Sequence, residues 1–274
     1  MLKIAIQGIE TSFHEVAAKK HFGENITTDN CWTFTELCES LAKNQSDFAV
    51  MAIENSIAGS LLQNYGLLQD YNFSIIGEVY LRIEMNLMAL PGQNLKDIST
   101  VQSHPIALRQ CSRYLNSLTD TKLIEREDTA ASAAEIANNN LKGYAAVANI
   151  AAAKRFGLEV LKTNIETNKN NYTRFVILSK SPVVSESNNK ATVFLSLPHD
   201  PGSLAKVLME FAAHNINLTK IQSVPIVGKP YNYNFHLDII WDKYSDFTAV
   251  KSSVSKITTS FFVLGEYKHV TYSS

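Results

Sequence analysis

Only three cysteines occur in 274 residues, Cys31, Cys38 and Cys111. They fall in no CxxC or other ligand-like spacing, and an odd number argues against a complete disulfide framework. A reducing cytoplasm is the expected setting. An excess of charge is also missing: 25 Lys and Arg against 26 Asp and Glu leave a net charge of -1. That balance gives no global attraction to nucleic acid or to a membrane surface. No apolar run approaches the roughly 20 residues that cross a bilayer. The opening Met1 to Ile6 lacks the longer apolar core and small-residue cleavage site of a signal peptide, so export is not expected. The seven histidines show no HExxH or comparable ligand spacing, and Gly8 is not followed by a GxGxxG fingerprint. Metal-assisted hydrolysis and dinucleotide chemistry are therefore disfavoured, and no metal site is expected.

What is present describes an ordinary globular protein, 45% hydrophobic and 19% charged, long enough for more than one domain. Leu2 to Ile6 reads as a strand, and Ser12 with Glu15 as a capping box opening a helix. Thr33 with Glu36 repeats the signature. Phe48 to Ile53 is apolar on both faces, as in a buried parallel strand, and ends on Glu54-Asn55-Ser56. Ser60 with Gln63 suggests another capping box. Asn55 and Ser56 thus sit in a strand-to-helix loop, which is either a ligand-binding edge or a polar turn that caps the next helix. Ser103-His104-Pro105 opens a helix read as running to about Leu115, with Pro105 in its first turn. Ser103 and Gln110, seven residues apart, would then project to one side. Its first N-H groups offer a seat for a carboxylate, while His104 reads as a cap or a packed imidazole.

The stretch Asn171-Tyr172-Thr173-Arg174-Phe175 marks a polar run giving way to the apolar Phe175-Val176-Ile177-Leu178. It is a loop entering a strand. Thr173 offers a hydroxyl donor and Arg174 a planar guanidinium for a carboxylate. Taken locally, the pair reads first as a strand opening with an incidental arginine, because a Thr-Arg pair is common.

A polar connector from Ser181 to Asn189 separates a part with a different rhythm. Residues 1–181 are expected to form two α/β lobes, 182–190 a linker, and 191–274 a βαββαβ, ferredoxin-like unit. In that unit Asp200 reads as an N-cap followed by Pro201, and Tyr233, Phe235, Leu237, Ile239 and Trp241 alternate with mostly polar neighbours.

Together these residues resemble the prephenate dehydratases that carry a C-terminal ACT regulatory domain. The matching pieces run in order along nearly the whole chain: Gln7-Gly8 with Ser12-Phe13, Glu54-Asn55-Ser56 with Gly59-Ser60, Ser103-His104-Pro105 with Gln110-Cys111, and Asn171 with Thr173-Arg174-Phe175. In the second part they are Pro201-Gly202-Ser203-Leu204, Asn217-Leu218-Thr219-Lys220-Ile221 and Ser223 with Pro225. The resemblance implies a two-lobed catalytic fold like type II periplasmic binding proteins, and decarboxylating dehydration of prephenate to phenylpyruvate without a cofactor. It implies that Thr173 is catalytic, and that Asn55, Ser56, Ser103, Gln110, Arg174 and Ser12 serve the substrate. It further implies that L-phenylalanine is an inhibitory effector bound between paired ACT domains of a homodimer or homotetramer, using Gly202, Ser203, Leu204, Asn217, Leu218, Gln222 and Ser223.

Two positions depart from the family pattern. Thr11-Ser12 stands where Gly-Ser is usual, and Gln222-Ser223-Val224-Pro225 where Glu-Ser-Arg-Pro is usual. Arogenate dehydration and non-catalytic amino-acid sensing are the competing expectations.

Overall fold

The computed structural model describes residues 1–226, 228 and 230–271. In chain order its elements begin with β1 (Leu2–Gln7), α1 (Phe13–Phe22), β2 (Ile26–Cys31), α2 (Phe34–Ala42), β3 (Phe48–Asn55), β4 (Gly59–Ser60), α3 (Leu62–Asp70) and β5 (Ser74–Arg82). Then come β6 (Asn86–Ala89), β7 (Thr100–Ser103), α4 (Pro105–Gln110), α5 (Ser112–Leu115), β8 (Lys122–Glu125), α6 (Thr129–Asn138), β9 (Tyr144–Ala148), α7 (Ile150–Phe156) and β10 (Glu159–Lys162). The last are β11 (Tyr172–Ser179), β12 (Lys190–Ser196), α8 (Ser203–Ala213), β13 (Asn217–Pro225), β14 (Tyr233–Ile240), α9 (Tyr244–Val254) and β15 (Ser260–Tyr267).

Three sheets result, with strand orders β2-β1-β3-β11-β5, β10-β6-β9-β7-β8 and β13-β14-β12-β15, and β4 pairs with β3 beside the first. The first carries β1 parallel to both β2 and β3, and the second β7 parallel to β8 and β9. The third is antiparallel throughout and realises the expected βαββαβ order. By contacts the chain forms two compact units: Met1–Gly59 with Val79–Phe175, and Ser60–Glu78 with the chain from Val176 onward. No helix among the described residues is long and apolar enough to cross a membrane.

Local chemistry explains the elements of the first unit. Residues 49–53 of β3 are buried because both faces of this interior strand are covered, which is why it reads as a continuous apolar run. Ser12 caps α1 by accepting from Glu15 N at 3.3 Å, and Thr33 caps α2 by accepting from Glu36 N at 3.0 Å. In both cases the glutamate reaches the residue before the cap: Glu15 accepts from Thr11 N, and Glu36 from Trp32 N. Thr11 has φ 68°, a backbone region that favours glycine, at the position where the family usually has glycine.

Several expectations fail in detail. Ser60 lies in β4, and α3 starts from Leu61 with no side-chain cap, so the third capping box does not form. The helix after His104 breaks at Cys111 into α4 and α5, so Gln110 closes a short helix rather than lying inside a long one.

In the second unit α8 begins after Gly202, whose φ of 80° is left-handed; Asp200 does not cap it but closes a turn, accepting from Ser203 N at 3.2 Å. Leu237, Ile239 and Trp241 join Val207, Phe211 and Phe247 in the core between sheet and helices. Burial of side chains this size contributes about 1.5–3 kcal/mol each. Two of their polar neighbours on β14 are buried as well: His236 and Asp238 are 3% and 1% exposed. They face the other side of the sheet, where Tyr65 of α3 stacks 4.5 Å from His236 and Thr192 donates to Asp238 at 2.6 Å. On β12, Lys190 forms a buried ion pair with Glu78 at 2.8 Å. Gly265 is required there, since a Cβ would lie 1.9 Å from the Ile75 carbonyl oxygen.

Candidate active site

Within the first unit, β3 ends on Asn55 and its sheet neighbour β11 begins on Tyr172, so two strand ends deliver the candidate residues together. Asn55 is 8% exposed and fully used. Its Oδ1 accepts from the backbone N-H groups of Ile57 at 3.0 Å and Ala58 at 2.9 Å. Backbone N-H groups only donate, so they fix the orientation of the amide. Its Nδ2 must therefore face β11, where it lies 2.8 Å from Asn171 Oδ1 and 3.0 Å from Thr173 Oγ1.

The polarity propagates. Asn171 is wholly buried; with its carbonyl taken, its Nδ2 donates to Gln110 Oε1 at 3.0 Å. Gln110 consequently presents its amide N-H groups away from Asn171. Thr173 Oγ1, accepting from Asn55, keeps its own hydroxyl hydrogen for donation. Two backbone amides at the end of β3 thus determine which way two donors point. Such fully paired buried networks are rigid, since leaving one member unpaired costs about 1–3 kcal/mol.

Of the residues picked from the sequence, Asn55, Thr173 and Gln110 are brought together. Ser56 lies beside them and stitches the strand ends: its hydroxyl donates to Asn170 O at 3.0 Å and accepts from Tyr172 N at 2.9 Å. Ser12 spends its hydroxyl on capping α1. Ser103 sits on β7, not in the helix, so the seven-residue spacing to Gln110 is not a helical one; its buried hydroxyl donates to Val147 O at 2.6 Å. Successive strand residues point to opposite faces, which separates Arg174 from Thr173. Arg174 is 2% exposed, with its guanidinium 3.9 Å from Glu54.

His104 caps α4 through Nδ1, which accepts from Ile106 N at 3.2 Å, so the first amide of that helix is occupied. Burial holds its imidazole below the usual histidine range. Cys111 is buried and its thiol is pushed up to about 12, leaving it protonated. His14, packed edge-on against Phe175, is lowered by burial to about 3. Neither is a neutral-pH acid or base.

Asn171 was read from the sequence as part of the motif but given no role, although it lies two positions before Thr173 and so shares its face of the strand. The paired backbone amides of Ile57 and Ala58 leave no side-chain signal. The candidate effector residues all lie in the second unit: Gly202, Ser203 and Leu204 at the start of α8, and Asn217, Leu218, Gln222 and Ser223 on the edge strand β13.

Comparison with known proteins places the chain in a family. The chain is 38% identical over 250 residues, 86% of its length, to arogenate dehydratase/prephenate dehydratase 2 of Arabidopsis thaliana. It spans 65% of that relative's length, so activity and partners are inferred separately below. The solved prephenate dehydratase of Arthrobacter aurescens in complex with L-Phe superposes with a TM-score of 0.87 at 27% identity, covering 98% of this chain and 90% of that one. A structure described as a novel type of quorum quenching acylase superposes with a TM-score of 0.88, also at 27% identity, covering 98% of each chain. The family model for prephenate dehydratase matches residues 4–183. The chain belongs to the prephenate dehydratase family.

Proposed function

We propose that this chain converts prephenate to phenylpyruvate, water and CO2, with Thr173 as the catalytic donor. The bond between the ring and its carboxylate breaks, its electron pair enters the ring, and the carboxylate departs as CO2. The ring hydroxyl leaves as hydroxide and becomes water with a solvent proton. A threonine hydroxyl is too weak an acid to surrender its proton outright. It acts by a hydrogen bond that strengthens as charge builds on the leaving oxygen, the kind of assistance that contributes about 10²- to 10⁴-fold. The observation carrying this reading is the Asn55 to Thr173 hydrogen bond at 3.0 Å, which leaves the hydroxyl hydrogen of Thr173 for the substrate.

Incubating purified protein with prephenate and following phenylpyruvate tests the proposal; no product would end it. Arogenate dehydration is the second reading, supported by the name of the plant relative, and the ratio of kcat/KM for the two substrates decides between them. Amide hydrolysis, suggested by the acylase likeness, needs an activated nucleophile. The partner of Thr173 Oγ1 is an amide, not an imidazole or carboxylate. Binding of prephenate without turnover would favour a sensor.

Residues 191–274 are read as an ACT domain and L-phenylalanine as an inhibitor bound where two copies pair. Support comes from the Arthrobacter aurescens complex and from β13, an edge strand of the antiparallel sheet that suits pairing of copies into a dimer or tetramer. Calorimetry and kinetics at saturating L-phenylalanine test this. A cytoplasmic setting is part of the same reading, tested by cell fractionation.

A further inference from the structure

Helix α4 borders two cavities of the first unit that differ in charge. The larger, about 690 Å³, is lined by Glu125, Glu127 and Glu135, against which stands only Arg126 and the imidazole of His104. Arg126 is already committed, donating to both carboxylate oxygens of Glu135 at 2.8 and 3.2 Å. Burial disfavours a charge on His104. The smaller cavity, about 450 Å³, is lined by Ile57, Ala58, Ile106, Arg109, Gln110 and Asn168 among others, and Arg109 is its single charged lining residue. The Arg109 side chain is exposed and enters no hydrogen bond or ion pair among the described residues.

Prephenate carries two carboxylates. Like charges repel it from a cavity lined by three carboxylates and one spent guanidinium, whereas the smaller cavity offers an uncommitted guanidinium and no acid. That cavity also holds Gln110, the terminal member of the Asn55, Asn171, Gln110 chain, and begins at Ile57 and Ala58, whose amides orient it. Arg174, the guanidinium expected from the sequence to anchor a carboxylate, is buried beside Glu54.

We propose that Arg109 is the carboxylate anchor of the smaller cavity and that it favours a keto acid over the corresponding amino acid. This rests on the dehydratase reading above and deepens it. The side chain of prephenate ends in a keto group and a carboxylate, so a guanidinium fork meets only acceptors. In arogenate an ammonium sits one carbon from that carboxylate, where the same guanidinium repels it. Arg109 thereby separates the two substrates by charge, which apolar contacts with Ile57 and Ile106 do not do.

The test compares wild type with Arg109→Gln, Arg109→Lys and, from the larger cavity, Glu127→Gln. Hydrogen bonds to charged groups are worth enough for a loss of about 10- to 100-fold. Arg109→Gln is expected to raise KM for prephenate by that factor with kcat within about threefold. Its prephenate-to-arogenate ratio of kcat/KM should fall, and the salt dependence of kcat/KM should flatten. Arg109→Lys should be intermediate, and Glu127→Gln should leave KM unchanged. Because Arg109 is exposed, its variants are expected to keep the wild-type melting temperature.

Unchanged KM and substrate ratio in Arg109→Gln, with a wild type that turns prephenate over, overturns the anchor and leaves the dehydratase reading standing. Calorimetry with prephenate on the Thr173→Ala background reads binding without turnover. Undiminished binding after adding Arg109→Gln overturns the anchor even if the chain proves catalytically silent. A wild type that neither binds nor converts prephenate overturns both.

Discussion

Asn55 and Asn171, 116 residues apart in the chain, meet amide to amide: Asn55 Nδ2 donates to Asn171 Oδ1 at 2.8 Å in a buried environment. The contact joins the end of β3 to the entrance of β11 and passes the orientation of one amide to the next, ending at Gln110. The two donors that the proposed mechanism turns to substrate are thus oriented by Asn55 and Asn171.

Asn171 is therefore a positioning residue. Asn171→Ala removes the partner of Gln110 Oε1 and one of the acceptors of Asn55 Nδ2, which keeps Thr173 Oγ1, and is expected to lower kcat by about 10²-fold while costing about 1–3 kcal/mol of stability. Asn171→Asp keeps the acceptor for Asn55 but offers no donor to Gln110, so it should recover part of the loss. Steady-state kinetics alongside urea unfolding separates the two effects; an alanine variant with wild-type kcat would show that Gln110 and Thr173 do not depend on it.

Thr173→Ala should lower kcat by about 10²- to 10⁴-fold with little change in KM, because the contact strengthens only as the hydroxide leaves. Thr173→Ser keeps the hydroxyl but loses the β-branched restraint on its rotamer, and is expected to retain partial activity. Near-normal turnover in the alanine variant would remove Thr173 from the mechanism.

The Lys190 and Glu78 ion pair in the second unit is completely enclosed, at 1% and 0% side-chain exposure, and Glu78 also accepts from Val270 N at 3.0 Å. Truncating either partner alone strands a buried charge, which typically costs about 3–5 kcal/mol. Lys190→Met and Glu78→Leu are each expected to lower the denaturation midpoint sharply. The double variant should lose less than the sum of the two, as read from a double-mutant cycle.

Acid should destabilise the protein through histidines kept neutral by burial. His14 is lowered to about 3 in the fold, against an ordinary value of 6.5, and His236 to about 4. Below pH 6.5 the unfolded chain takes up protons that the folded chain refuses, so stability falls as pH drops from about 6.5 toward 3 and levels off below that. At one pKa unit per 1.36 kcal/mol, His14 alone accounts for roughly 2–3 kcal/mol between pH 7 and 4.5. His14→Phe should flatten this part of the profile in chemical denaturation; an unchanged slope would assign the acid sensitivity elsewhere.

Much of the fold was legible because local patterns settle it. The continuous apolar run of β3 and the caps Ser12 and Thr33 are decided within a few residues of themselves. Expectations missed where distant groups competed. Asp200 lost the α8 cap to the Gly202 turn, and the alternation along β14 does not show that Tyr65 and Thr192 cover His236 and Asp238. Serine is ambiguous in the same way: Ser103 offers a hydroxyl to a substrate or to a backbone atom, and only packing shows that Val147 O takes it.

By itself the sequence determined where the strands end and which residue types stand there, since periodicity and turn residues are local properties. The family membership of the chain was also written in the order of its motifs. The tertiary structure decided which of those side chains remain free. A hydrogen bond consumes a donor and an acceptor, and whether Thr173 or Gln110 keeps one to offer depends on Asn55, Asn171 and the backbone amides of Ile57 and Ala58, most of them far away along the chain.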